Sequence, residues 1–259
     1  MIETVRVMNV WREKLVACGI HFLATLLLAA IAAALIFVVW YPPPYTRMLG
    51  GMELFMLVVG IDLALGPLMS LVIYNSRKSR RELITDYSIV GAIQIAALAY
   101  GVWIMAGARP VYMAFTVDRF EVVQAADLTP DELAAARDPQ YASRPLSGAR
   151  FVSVVVPEED KQEALFKAID GKDVQMRPRF YVPYETNMPN ILKRAGRMED
   201  LIAKHAAAKP AIEAAQREAG IPEEYQRWLP IHYSTGFWTA VIDTRTGLPV
   251  SYIELDPYG

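Results

Sequence analysis

Cysteine is nearly missing from this 259-residue chain, histidine is scarce, and neither sign of charge dominates. A lone Cys18 excludes an intramolecular disulfide. The three histidines, His21, His205 and His232, lie too far apart for paired metal-ligand spacing, and no second cysteine supports them. No zinc site or other cofactor is therefore expected. The G-x-S-x-G elbow, the P-loop and the G-x-G-x-x-G turn are all absent. No motif points to a triad built from distant Ser, His and Asp residues either, so the chain is not expected to be an enzyme. With 26 Lys and Arg against 28 Asp and Glu, it also has no basic surplus for nucleic acid.

Charge is thinnest in the first 106 residues, which hold 8 basic and 6 acidic side chains; the remainder holds 18 and 22. Leu15 to Trp40 is a run of 26 residues in which His21 is the only strongly polar one. A helix needs roughly 20 residues to cross the hydrocarbon, so this run spans with length to spare. It also exceeds the apolar core of a cleaved signal and is expected to be retained. The LVAC letters at 15–18 do not make a lipoprotein signal, because the apolar run follows the cysteine; Cys18 is expected to be a small buried helix residue. Further spans are predicted over 54–74 and 87–106. The loop between them carries Arg77, Lys78, Arg80 and Arg81, and the N-terminal tail carries Arg6, Arg12 and Lys14, whereas 41–53 has only Arg47. Basic residues in short loops stay cytoplasmic. The expected organisation is thus a cytoplasmic tail (1–14), a three-span domain (15–107) and an extracytoplasmic, periplasmic domain (108–259). In WYPPPY at 40–45, the prolines predict a stiff polyproline-II connector and the aromatics an interfacial anchor.

Beyond residue 107 the hydrophobic period changes. VYMAFTVDRFEVVQA predicts a hairpin around Asp118-Arg119. Thr129 and Pro130 mark a helix start. RFVSVVVP at 150–157 reads as a buried strand, and PEEDKQEALFKAI as a short amphipathic helix. Helical spacing runs from Ile191 through Ala195, Met198, Ile202 and His205, with a break predicted at Pro210. FWTAVIDTRTGLPVSYIELDPY predicts a closing hairpin with Gly247 at a positive φ. The fold class that follows is a membrane protein: three N-terminal transmembrane helices, then an α+β domain without a regular βαβ repeat. His205 reads as a packing or surface histidine, and His232, among aromatics, as a half-buried residue with a backbone partner.

The second span, VVGIDLALGPLMSLVIYN, poses the sharpest question. A carboxylate in hydrocarbon costs about 2.5 kcal/mol or more, so Asp62 must be neutral, paired, or turned toward protein or water. Depth along the helices makes Tyr100 of the third span a candidate partner for Asp62, and pairs His21 with Gln94. Gly66-Pro67 predicts a kink, and Gly60 and Gly66 thin the helix for close approach. Three roles for Asp62 stay open: a staple within the bundle, a contact to another protein's membrane helix, or a relay. The candidate residues are Asp62, Gly60, Gly66, Pro67 and Tyr100.

The ordered series GIHFL, FVVWYPPPY, GGMELFMLVVGIDLALGPLMSLVIYN, LAYG, ARPVYMAFTVDRFEVV and AVIDTRTGLPVSYIELDPY resembles the TfpX/TfpZ-type type IV pilin accessory proteins, over nearly the whole chain. The resemblance implies a non-enzymatic inner-membrane protein, surrounded by membrane lipid, that modulates assembly of a cognate type IV pilin. It also implies contact with the pilus assembly machinery. The rival class is a membrane-anchored periplasmic ligand-binding or sensor protein. Its difficulty is that a short tail and loop are too small for a cytoplasmic output domain.

Overall fold

The computed structural model of the chain describes residues 2–75 and 77–259, with side chains from Trp11 onward except Leu54. Its contacts divide it into two units, residues 1–42 with 50–106, and residues 43–49 with 107–259.

Three long helices make the first unit. Helix α1 (Ile2–Ala34) winds into a π-helical turn over Leu35–Trp40, where Tyr41 N–H donates to the Ile36 carbonyl at 2.7 Å. The prolines at 42–44 then end it, since they offer no backbone donor. After the single turn α2 (Tyr45–Met48), Gly50 takes a left-handed φ of 62° and lets α3 (Gly51–Ile73) begin. Helix α3 runs on through Pro67. Helix α4 (Arg80–Ala108) starts from reciprocal bonds between Ser79 and Glu82, a capping box. Trp11–Trp40, Gly51–Ile73 and Arg80–Ala108 are each long and apolar enough to cross a membrane. Their outer faces leave Leu23, Leu57, Ile61, Ile93 and Trp103 at least half exposed, which suits lipid and not water. The chain is thus a membrane protein by its apolar helices. Cys18 is half-buried.

The second unit is a mixed α+β sheet domain. Strands β1 (Pro110–Phe115) and β2 (Phe120–Gln124) form the predicted hairpin. Helix α5 (Pro130–Ala134) is capped by the Thr129 hydroxyl, as expected. Strand β3 (Arg150–Val154) lies parallel to β1, followed by α6 (Lys161–Ile169) and the short β4 (Tyr181–Pro183). Then come α7 (Met188–Arg194), β5 (Gly196–Arg197), α8 (Met198–Lys204) and α9 (Lys209–Glu218). Strands β6 (Gln226–Tyr233), β7 (Gly236–Asp243) and β8 (Pro249–Ile253) close the fold, with Gly247 at φ 69° in the last turn. The sheet order is β4-β3-β1-β2-β6-β7-β8, with β5 paired onto β6. One core gathers around Tyr112, Leu128, Val152 and Phe180; another gathers Leu201, Ile212 and Val241.

Three local expectations are corrected. The proline triplet is not a polyproline-II rod: Pro44 takes helical angles (φ −89°, ψ −2°) and caps α2. Tyr45 is buried to 5% exposure instead of lying half wet, and Arg47 pairs with Glu254 at 3.2 Å. The helix predicted from Ile191 to His205 is interrupted at Gly196, and the break expected at Pro210 falls earlier, over residues 205–208, with Pro210 in the first turn of α9. A Cβ on Gly196 would meet the Trp228 indole nitrogen at 2.4 Å, so the chain is held extended against β6 there. Finally, the partner of His232 is a side chain: its Nδ1 lies 2.7 Å from the Glu121 carboxylate on the neighbouring strand β2.

Candidate functional site in the helix bundle

Helical spacing places Asp62, Gly66 and Ser70 one turn apart on one face of α3. His21 of α1 reaches this face, with Nδ1 2.7 Å from Ser70 Oγ and Nε2 2.7 Å from Gln94 Oε1 of α4. Gln94 Nε2 in turn donates to the Asp62 backbone carbonyl at 3.3 Å. This chain fixes the imidazole tautomer, because an amide oxygen only accepts. Nε2 of the neutral ring therefore carries the hydrogen, and Nδ1 accepts from the Ser70 hydroxyl. All three long helices are joined at this one point. Ser70 is fully buried.

Gly66 is what makes the junction fit. A Cβ there would sit 2.7 Å from Gln94 Nε2 and 3.2 Å from His21 Nε2. One residue on, Pro67 removes the backbone donor that would otherwise bond the Leu63 carbonyl. Higher in the bundle, α4 meets α3 through Gly101, whose missing Cβ would contact Val58 at 3.3 Å. Phe37 and Phe55 pack edge to face at 5.2 Å, and the Tyr41 hydroxyl donates to the Met105 carbonyl at 2.9 Å.

The sequence-predicted residues separate into two groups. Asp62, Gly66 and Pro67 stand at the junction, and His21 pairs with Gln94 as their depths implied. Tyr100 does not join them. It is 64% exposed and lies against Trp103 at 5.8 Å, because the face of α4 that meets α3 is the one carrying Gln94, Leu98 and Gly101. Gly60 faces outward, with open space where a Cβ would be. The Asp62 carboxylate accepts no hydrogen bond among the described residues. It borders a cavity of about 140 Å³ with His21, Thr25, Leu28, Gln94 and Leu98. Ser70 went unnoticed in the sequence, although its i+8 spacing from Asp62 on a helix was the available signal.

This arrangement is a polar knot sealed into three apolar helices, with one carboxylate beside a small cavity. The hydroxyl–imidazole pair in this knot, Ser70 with His21, has its serine fully buried between the helices.

Comparison with known proteins adds the family. A protein of Dichelobacter nodosus described as "Fimbrial assembly protein, serogroup I" is 32% identical over 244 residues, 93% of this chain and 94% of that protein. The chain belongs to the fimbrial assembly protein family. Its serogroup E1 counterpart in the same organism is 31% identical over the same length, and the protein of serogroups C1 and C2 is 42% identical over 118 residues, covering 46% of this chain and 90% of that protein. The family model described as "Fimbrial assembly protein FimB" matches residues 9–50, the stretch containing His21 and the turn after α1. Membership agrees with the resemblance to pilin accessory proteins. No solved structure matches the chain.

Proposed function

We propose that this fimbrial assembly family member is a non-enzymatic accessory protein of the inner membrane that acts, chaperone-like, on its cognate type IV pilin before the subunit enters the fibre. The observation that carries the reading is the 32% identity across 93% of the chain to a protein named for fimbrial assembly. The topology proposed with it puts the N-terminus and the 75–86 loop in the cytoplasm and the sheet domain in the periplasm. That orientation rests on Arg77, Lys78, Arg80 and Arg81 between the second and third apolar helices.

Within this reading the membrane helices meet the pilin's apolar segment. The outward face of α3 at Gly60, with room for a close helix, and the unbonded Asp62 carboxylate on the inner side support that use. A photoreactive residue at position 60 tests it in living cells. Light-dependent capture of pilin is the expected result. If pilin is never captured there while the protein is present at normal levels, α3 does not receive it.

A further inference from the structure

The sheet domain holds a second, separate hollow. It opens at the carboxyl ends of the two parallel strands β1 and β3, the position where α/β sheets commonly take ligands. Its volume is about 370 Å³. Valines floor it: Val117, Val154, Val155 and Val156, with Val117 and Val155 respectively 70% and 44% exposed. Its rim carries Lys161, Lys193 and Arg194, and no carboxylate lines it. That is unexpected in a domain where acidic residues outnumber basic ones, 22 to 18. Lys161 pairs with Glu158, but Lys193 and Arg194 form no ion pair among the described residues.

Helix α6 begins at the hollow with Lys161. Lys161, Leu165 and Ile169 follow at i, i+4 and i+8, so they share one helix face. Leu165 and Ile169 are 64% and 75% exposed. The valine floor and this α6 face are both apolar and exposed, and Lys161 belongs to both. The wall is rigid: Arg177 is buried and pairs with Glu163 at 2.6 Å, and Arg179 pairs with Asp160 at 2.8 Å, tying the 174–180 segment to α6.

We propose that this cradle docks an extended protein segment that carries carboxylates among aliphatic side chains. Aliphatic groups fill the valine floor and follow the α6 face, and a carboxylate meets Lys193 and Arg194. The chemistry stands on the cradle itself; that the segment belongs to a pilin rests on the assembly reading above.

The test uses the full chain in detergent micelles and a short fluorescein-labelled peptide alternating Glu and Asp with Val and Leu, beside its Gln and Asn counterpart. Fluorescence anisotropy should show the acidic peptide binding roughly tenfold more tightly than the amide one. The Lys193→Glu/Arg194→Glu double variant and Val117→Glu should each abolish that preference while melting as the wild type does. Equal binding of the two peptides, no binding, or unchanged preference in both variants overturns the proposal. So does displacement of the peptide by a soluble short-chain phosphatidylglycerol that needs the same residues, because it makes the cradle a lipid-headgroup site. A cellular comparison separates this from the assembly reading. Unchanged piliation on deleting the whole chain defeats that reading and leaves the peptide result standing. If deletion removes pili and the double variant restores them fully, the cradle is not the docking surface.

Discussion

The Nε2 of His21 lies 2.7 Å from the side-chain oxygen of Gln94, and both groups stand against the backbone of Gly66, which has no Cβ to block them. This single contact explains why a glycine is placed in the middle of an apolar helix. In a helix interior glycine ordinarily costs about 1 kcal/mol relative to alanine. Here the cost is offset by hydrogen bonds that join three helices.

Gly66 and Gly60, both inside α3, should therefore respond oppositely. Gly66→Ala pushes a methyl to within 2.7 Å of the Gln94 amide, which must swing away and give up the His21 bond. A loss of about 1–2 kcal/mol in bundle stability is expected. Gly60→Ala meets nothing within 4 Å and should leave stability unchanged or raise it by up to about 1 kcal/mol. Thermal unfolding in detergent micelles distinguishes them. Equal losses would mean that the His21–Gln94 contact does not hold the bundle.

Asp62 and Gln94 should also separate. Gln94→Leu removes the link among the helices and is expected to cost about 0.6–1.7 kcal/mol, the range for polar contacts between membrane helices. Asp62→Asn keeps its backbone carbonyl, which is the group Gln94 contacts, so the variant should accumulate and melt as the wild type does. Its pilin capture should fall. If the Asn variant fails to accumulate, the carboxylate is a staple of the bundle after all.

In the sheet domain, Gly196→Ala drives a methyl into the Trp228 indole, a rigid neighbour that donates to the Arg197 carbonyl at 3.0 Å. A destabilisation of about 1–3 kcal/mol is expected, read as an earlier loss of tryptophan fluorescence on heating. An unchanged melt would mean that β5 does not pin the α7–α8 junction.

Much of this was legible from the sequence, for definite reasons. The three apolar runs, the Asp118-Arg119 hairpin, the Thr129 cap and the Gly247 turn are local signals, set by composition, capping chemistry and the glycine φ. The pairing of His21 with Gln94 followed from depth along rods of known rise. What failed was not local. Tyr100 has the right depth, but depth leaves rotation about the helix axis undetermined, and Gly101 turns Tyr100 outward. The helix break at Gly196 is imposed by Trp228, a residue 32 positions later. The Glu121–His232 pair depends on β2 and β6 being sheet neighbours, although the two residues stand 111 positions apart in the chain.

That pair gives a pH prediction. Glu121 is well buried, and burial holds its carboxyl above the ordinary value; the His232 and Arg119 side chains oppose the shift only in part. The folded state therefore holds this proton more readily than the unfolded chain. The contribution of Glu121 is most favourable below the ordinary carboxylate value of 4.5 and declines as pH rises through the raised one. Glu121→Gln removes that slope. Melts at rising pH, starting near the ordinary carboxylate range, should show the variant gaining on the wild type. If the two curves run parallel, the His232 contact fully offsets burial.

The proposed role is to govern passage of pilin from the membrane into the fibre. The direct measurement is the ratio of surface-assembled to membrane-retained pilin, compared between wild type, a deletion of the gene, and the deletion complemented by the full chain. Deletion is expected to shift the ratio and complementation to restore it, with total pilin synthesis unchanged. An identical ratio in all three strains would contradict it.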